Sequence, residues 1–562
     1  MCLSWLWRLL SLLNVLLLFS TVNAYAGSDL LIYPQAANDW FAPAAKKIQL
    51  RAESEGQRGI AKAKNIILFV GDGMGVSTVT AARIFAGQQK GLAGEEFELS
   101  FDKFPYSGLA RTYNTNAQTP DSAGTMTALV TGVKTKAGVL SINDNVIRGD
   151  CASQKGNELL SAIELAEFAG MSTGIVSTAR ITHATPAATY ASAADRGWES
   201  DKDMDSEAKA AGCEDIASQL VYFPERMRES LIAQSFASKI DKKRLARIDG
   251  LDVILGGGLR AFLPEGEHSL GAWKTNGRRL DQQNLLETWV HRNKDGLAVH
   301  SSVELKRALA KHPDKILGLF SESHMAYEAE RKSASTESLQ SSEPSLAEMT
   351  AAAIGTLSKN KKGYFLMVEA GRIDHAHHIN NAFNALSDTL AFSEAVALAV
   401  EKTNKRDTLI IVTADHSHVF TMAGYPQRGN PILGKVIGPH PGGKKNTEFT
   451  LDAQGKPYTT LGYMNGRGQA FLEDNTDPDQ RYQQAINAGR QSLKNIDTEN
   501  SGYHQESLVA LESETHGGED VAIYARGPGA YLISGSHEQN VIFHAMNYAA
   551  NLLGRAEANL FK

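Results

Sequence analysis

The sequence predicts an α/β fold, a mostly parallel central sheet with helices on both faces, and three observations carry that prediction. Short apolar runs recur at residues 65–70, 173–177, 252–255, 316–320, 364–368 and 409–413, each with the length and composition of a strand buried on both faces. Stretches of helical periodicity lie between several of them, such as Phe383, Leu386, Leu390 and Ala397, or Leu159, Ile163 and Ala166. Alternating strands and helices of this kind build parallel sheets. Finally, three of the clearest runs empty into acids: Asp72, Glu369 and the pair Asp415-His416. In a parallel sheet those side chains converge on one rim, where ligands of α/β proteins bind.

A chain of 562 residues, 42% of them hydrophobic, can bury a large core. Its 57 basic and 63 acidic residues, formal net charge −6, provide no basic footprint for nucleic acid. Residues 1–26 read as a secretory signal peptide: Arg8, an apolar stretch over 9–20, then small residues at alternate places up to Ala24 or Ala26. That stretch is short for a bilayer span and is interrupted by Ser11 and Asn14. Cys2 precedes the apolar stretch, whereas a lipoprotein cysteine follows it. The polar segment 551–562 lacks the hydrophobic tail of a GPI signal, so a soluble, unanchored product is expected. Removal of the leader leaves Cys151 and Cys213, for which one disulfide or two buried thiols are both compatible with the sequence.

Residues 27–64 form an N-terminal extension of low periodicity, and the main domain is expected over 65–562. A region at about 422–475, rich in Gly, Pro, Lys and Asn, reads as an insertion in it. Residues 328–344 are polar and charged and read as a solvated surface segment.

Asp72 sits between Gly71 and Gly73 directly after an apolar run, which suits a metal ligand and equally a turn carboxylate bonding its own backbone. After the run 364–368 comes Glu369, then Asp374 and His378, four apart on one face of a helical turn. A carboxylate and an imidazole so spaced suit a zinc site of mixed oxygen and nitrogen ligands. In the segment 119–125, Pro120 and Asp121 resemble a helix start, placing Ser122 near the free N–H groups of a first turn. A helix cap would explain Ser122. So would a nucleophile, provided that a metal held by Asp72, Asp415 and His416 acidifies its hydroxyl.

From about residue 64 to 529 the chain resembles the alkaline phosphatases. VGDGMG at 70–75, TPDSAGT at 119–125, THATPA at 182–187, VEAGRIDHAHH at 368–378, TADHSH at 413–418 and ETHGGEDV at 514–521 stand in the family's order. The resemblance implies an alkaline phosphatase-like fold with a small crown-like insertion. It also implies hydrolysis of small phosphate monoesters to alcohol and inorganic phosphate at alkaline pH, through a phosphoserine on Ser122. It assigns one zinc to Asp374, His378 and His516, a second to Asp72, Asp415 and His416, and a magnesium to Glu369 and Thr185 with Asp72 as bridge. Arg196 matches the family's phosphate clamp, a task for which a planar guanidinium is suited. Asp121, His183 and His375 are the other positions expected at the substrate. Histidines at 183 and 375, where the best-known enterobacterial form has Asp and Lys, are an animal-type feature. The stretch 151–213 is similar to animal-type enzymes whose matching cysteines are bridged. A periplasmic or secreted bacterial enzyme, homodimeric with the insertion near its interface, completes what the resemblance implies.

Other readings are disfavoured by the residues themselves. A sulfatase needs a modified Cys or Ser in a C/S-x-P-x-R setting, yet Ser122 is followed by Ala-Gly-Thr; related phosphodiesterases tend to use Thr and lack the arginine. Neither Gly71–Gly75 nor Gly256–Gly258 forms the G-x-G-x-x-G of a dinucleotide site.

Overall fold

The computed structural model describes residues 34–55, 62–233, 237–270, 273–335, 338–468, 470–471 and 490–561. The predicted leader lies outside the described residues, as does much of 469–489.

Ten strands form the central sheet: β1 (Asn65–Gly71), β2 (Tyr106–Arg111), β3 (Ser172–Arg180), β4 (Val253–Gly257), β5 (Gly296–Val299), β6 (Lys315–Leu319), β7 (Tyr364–Ala370), β8 (Thr408–Ala414), β9 (Val521–Arg526) and β10 (Gly535–Glu538). Their order is β10-β2-β9-β8-β1-β7-β3-β4-β6-β5. Only β9 runs against its neighbours β8 and β2; every other pairing is parallel. All six apolar runs are strands of this sheet, and β1, β7 and β8 are buried along their whole length, as central parallel strands covered on both faces must be. The four strands without such a run are the antiparallel β9 and three at the sheet's margins, where alternation or partial exposure hides the signal.

Helices α1 (Phe41–Ser54), α2 (Val76–Gln88), α3 (Ser122–Thr131), α4 (Ala162–Phe168), α5 (Ala184–Tyr190), α6 (Leu346–Leu357), α7 (Arg372–His378), α8 (Ala382–Lys402) and α9 (Val541–Ala550) bear on the site or the core. Among described residues α8 alone is long and apolar enough to cross a membrane by composition, and it is mostly buried in the protein. Its buried face includes Leu386, Val396 and Ala399, while Ala397 is exposed. A single alanine has too little apolar area to fix a helix face.

Two expectations change. The extension 27–64 contains α1, whose Phe41, Ala44, Ala45, Ile48 and Ala52 are buried. Phe41 meets the Phe543 and His544 rings of α9 at 6.0 and 4.4 Å. The segment 328–344 is not uniformly solvated. It holds short helices at Glu328–Ser333 and Leu339–Ser342, and it buries Glu328 and Glu343. Glu328 pairs with Arg331 at 2.8 Å, and Glu343 accepts the Ala326 N–H at 2.9 Å. Charge composition suggested solvent, but charges satisfied within the protein can be buried.

The 422–475 region lies largely outside the main sheet. Phe420–Met422 pairs with Leu461–Gly466, which takes a third strand, Ser507–Ala510, from beyond the expected boundary. Cys151 and Cys213 form a disulfide with Cα atoms 5.9 Å apart.

Candidate active site

Strand register brings the acids together. The last pair of β1 with β8 is Gly71–Ala414, so Asp72 and Asp415 both follow one residue past it; Glu369 on β7 lies opposite Val70 of β1 and Ser177 of β3. The three carboxylates therefore stand on three adjacent strands at one rim, and all are fully buried. The glycines after Asp72 make room for this crowding. Gly73 has φ 67°, and a Cβ there would lie 2.4 Å from the His418 ring.

Asp374 and His378 share a face of α7, with Nε2 of His378 3.4 Å from Asp374 Oδ1. His516, in a two-residue strand opposite His418, places its Nε2 3.3 Å from the same oxygen. The Nδ1–H of His378 donates to Glu514 O at 2.7 Å, and that of His516 to Pro120 O at 2.8 Å. Each ring is thereby fixed with its lone pair on Nε2, yet the two Nε2 atoms face one another at 3.1 Å. Neutral imidazoles so oriented repel unless a cation lies against both, so this donor set fits a metal.

His416 repeats the device. Its Nδ1 faces Ser417 O at 3.3 Å, and Nε2 lies 3.4 Å from Asp72 Oδ1, 3.3 Å from Asp415 Oδ2 and 3.1 Å from Ser122 Oγ. Asp415 Oδ1 accepts the Gly73 and His416 N–H groups, leaving Oδ2 without a partner. Both Asp72 oxygens, Glu369 Oε1 and Thr185 Oγ1 are also buried without hydrogen bonds. Burial, then the charges of Asp415, Asp374 and Glu369, pushes the Asp72 carboxyl well above its usual range. Burial pushes Glu369 up to about 8. Crowding of this kind favours protonated carboxyls, and the acids can ionise together here only against divalent cations. Three ligand groups with atoms within 4.8 Å of one another share corners: Asp374-His378-His418-His516, Asp72-Asp374-His416 and Asp72-His183-Glu369. Asp374 joins the first to the second, and Asp72 the second to the third.

Ser122 is the first residue of α3 and is buried. The capping role belongs to Asp121, whose Oδ1 accepts the Gly124 N–H at 3.0 Å, so the Ser122 hydroxyl is left facing His416. Asp121 Oδ2 accepts the Gly138 N–H at 2.8 Å and meets Arg196 Nη1 at 3.1 Å, while Arg196 Nη2 lies 3.3 Å from His183 Nε2. Every sequence-predicted residue of the rim is thus within this one constellation. His375 stands at its edge, 5.4 Å ring to ring from His183.

Sequence reasoning assigned no role to His418 and Glu514, although both lie in the quoted motifs. His418 bridges two carboxylates, with Nε2 2.7 Å from Asp374 Oδ1 and Nδ1 2.6 Å from Glu514 Oε2. Burial opposes its charge, but the Glu514 charge and the bonds to both acids hold its pKa up at about 10. A ring protonated on both nitrogens cannot ligate; it orients Asp374 instead. His377 is structural: it meets Thr78 Oγ1 at 3.0 Å and the Tyr463 hydroxyl at 2.8 Å, fastening the inserted sheet.

The chain matches the family described as Alkaline phosphatase over residues 63–552. The alkaline phosphatase of Gadus morhua is 40% identical over 522 residues, 92% of this chain and 97% of that protein. The tissue-nonspecific isozyme of Gallus gallus is 43% identical over 495 residues, 87% of this chain and 84% of that one. Among solved structures, Thermus thermophilus alkaline phosphatase superposes with a TM-score of 0.57 at 24% identity, covering 89% of this chain and 95% of that chain. A variant of the enzyme from the Antarctic bacterium TAB5, with Mg bound in its M3 site, gives 0.55 at 22%, covering 87% and 99%. At those identities the likeness is one of fold.

Proposed function

Because the chain belongs to the alkaline phosphatase family, and so is a metal-dependent phosphoric monoester hydrolase, we propose how its own residues divide that work. Asp374, His378 and His516 hold one zinc; Asp72, Asp415 and His416 hold a second beside Ser122. Asp72, Glu369 and Thr185, with His183 against them, hold a magnesium. The observation that carries this reading is the 3.1 Å approach of the His378 and His516 Nε2 atoms, both rings locked by Nδ1–H bonds to carbonyls.

When bound, the cations supply Lewis acidity, acidifying the serine hydroxyl and water and neutralising charge on the phosphoryl group. Ser122 Oγ attacks phosphorus in line, the alcohol leaves, and water then cleaves the phosphoserine to release phosphate. Arg196 grips two phosphoryl oxygens, braced by Asp121 behind it and adjoining His183. His418, clamped between Glu514 and Asp374, keeps the Asp374 carboxylate oriented.

The protein is further proposed to be periplasmic or secreted, a reading supported by the Cys151–Cys213 disulfide. It is proposed to be a homodimer with the inserted region near its interface, because large apolar residues stand exposed in that region and on the strand paired with it, notably Tyr425 at 91% and Leu508 at 78%.

The test is a substrate panel on purified protein with metal analysis. A chromogenic phosphate monoester should be hydrolysed at alkaline pH, lost on chelation and restored by zinc with magnesium. Equal or faster turnover of phosphodiesters or sulfate esters would overturn the reading.

A further inference from the structure

The loop that follows β6 brings a third histidine to the wall formed by His183 and His375. The His324 ring lies 3.9 Å from that of His375 and 5.4 Å from that of His183, centroid to centroid. It is fixed at one edge by the residue at the end of β3, where Nδ1 accepts the Arg180 main-chain N–H at 3.2 Å; Nε2, which then carries the ring proton, lies 2.6 Å from Arg180 Nη1, a close approach of two donors and not a hydrogen bond. Arg180 is itself fixed by its fork onto Glu199, at 2.7 to 3.1 Å, and by Ser323 Oγ at 3.2 Å. The loop cannot slide away easily, because Met325 N–H bonds Thr178 O at 3.0 Å and Gly258 N–H bonds Ser323 O at 2.7 Å. His324 is therefore a fixed plate.

The two rings it touches are less constrained. Nδ1 of His183 is buried with no hydrogen-bond partner, and a His183 nitrogen falls within 4.8 Å of Asp72 and Glu369 ligand oxygens. His375 is approached at Nδ1 by Arg372 Nη1 at 3.2 Å. Arg196 Nη2 also lies 3.3 Å from His183 Nε2, and the ring contacts with His324 add to what sets the two planes. His324 is itself no ligand, since it belongs to none of the ligand groups and its acceptor nitrogen, Nδ1, is taken by the Arg180 main-chain N–H.

We propose that His324 is a positioning residue for the third cation site: by packing on His375 and His183 it holds those rings in the orientation that site requires, without touching the cation or the phosphate. This rests on the third-site reading of Asp72, Glu369 and Thr185. Outer partners that orient residues around a metal commonly govern its affinity by about tenfold or more.

The test measures magnesium binding to zinc-loaded protein by equilibrium dialysis, independent of turnover. His324→Ala should keep two zincs per chain and weaken magnesium by about tenfold. His324→Phe, which restores a ring against His375 and His183, should recover most of that loss. Native magnesium affinity in His324→Ala overturns the proposal, as does a Phe variant no better than Ala. Equal losses at the zinc sites also overturn it, being the mark of a general structural role. A native protein that binds no magnesium beside its zincs is a different result: it defeats the third-site reading and this inference with it.

Discussion

The Ser122 hydroxyl lies 3.1 Å from Nε2 of His416, a nitrogen that also faces Asp72 and Asp415. Nδ1 of that ring points at a carbonyl, so Nε2 carries the lone pair. On the proposed assignment of His416 to a zinc, a serine held against its Nε2 shares that cation's surroundings. Ser122→Ala should therefore lose roughly 10³-fold or more in kcat while keeping its full metal content. His416→Asn should lose one zinc together with activity. Steady-state assays paired with elemental analysis check both, and full activity in Ser122→Ala would overturn the nucleophile assignment.

Asp72 stands at the corner shared by two ligand groups, and both its oxygens are buried without hydrogen bonds. Asp72→Ala should disturb two cations, the zinc beside Ser122 and the magnesium, while the site at Asp374, His378 and His516 keeps its own. Metal analysis after dialysis decides this. Loss of only one cation would count against the bridging role.

Glu164 closes a capping box at the start of α4, accepting the Ser161 N–H at 2.7 Å, and burial pushes its carboxyl up to about 7. Between the ordinary carboxylate range and pH 7 the folded protein retains a proton that the unfolded chain has lost. Its contribution is thus fully present at acid pH and disappears as pH rises through about 7. The total is at most about 3 to 4 kcal/mol. Glu164→Gln keeps the acceptor and removes the titration. Denaturant unfolding at pH 5 and pH 9 should show the native protein losing more stability across that interval than the variant, and parallel behaviour would refute the assignment.

The Cys151–Cys213 bridge closes a loop with a sequence separation of 62 residues. By chain entropy, replacing both cysteines with alanine should destabilise the protein by roughly 4 kcal/mol at most. Neither cysteine belongs to the ligand groups, so zinc content should be retained. Calorimetry of the double variant checks the first statement, and metal analysis the second.

Much of the candidate site was legible in order along the chain because strand ends and candidate ligands coincide: Asp72, Glu369 and Asp415 each follow an apolar run that folded as a buried parallel strand. His516 was legible only through resemblance, since a polar loop has no periodicity to place it. His418, Glu514 and His324 gained roles only from the fold. His418 sits one residue from a turn that could aim it anywhere, and only pairing with the His516 strand turns it between Asp374 and Glu514. The helix within the extension 27–64 was not legible because most of the residues α1 buries are alanines, whose small apolar area barely marks a helix face.

The sequence by itself determined the fold class and the rim on which the candidate acids gather, since hydrophobic period and strand-end chemistry are local properties of the chain. Only the tertiary structure decided which ring nitrogen faces inward, which carboxylate oxygens lack partners and which residues hold the ligands in place. Those depend on contacts between residues tens to hundreds of positions apart, such as His516 with Pro120 or His324 with Arg180, and no local pattern encodes them.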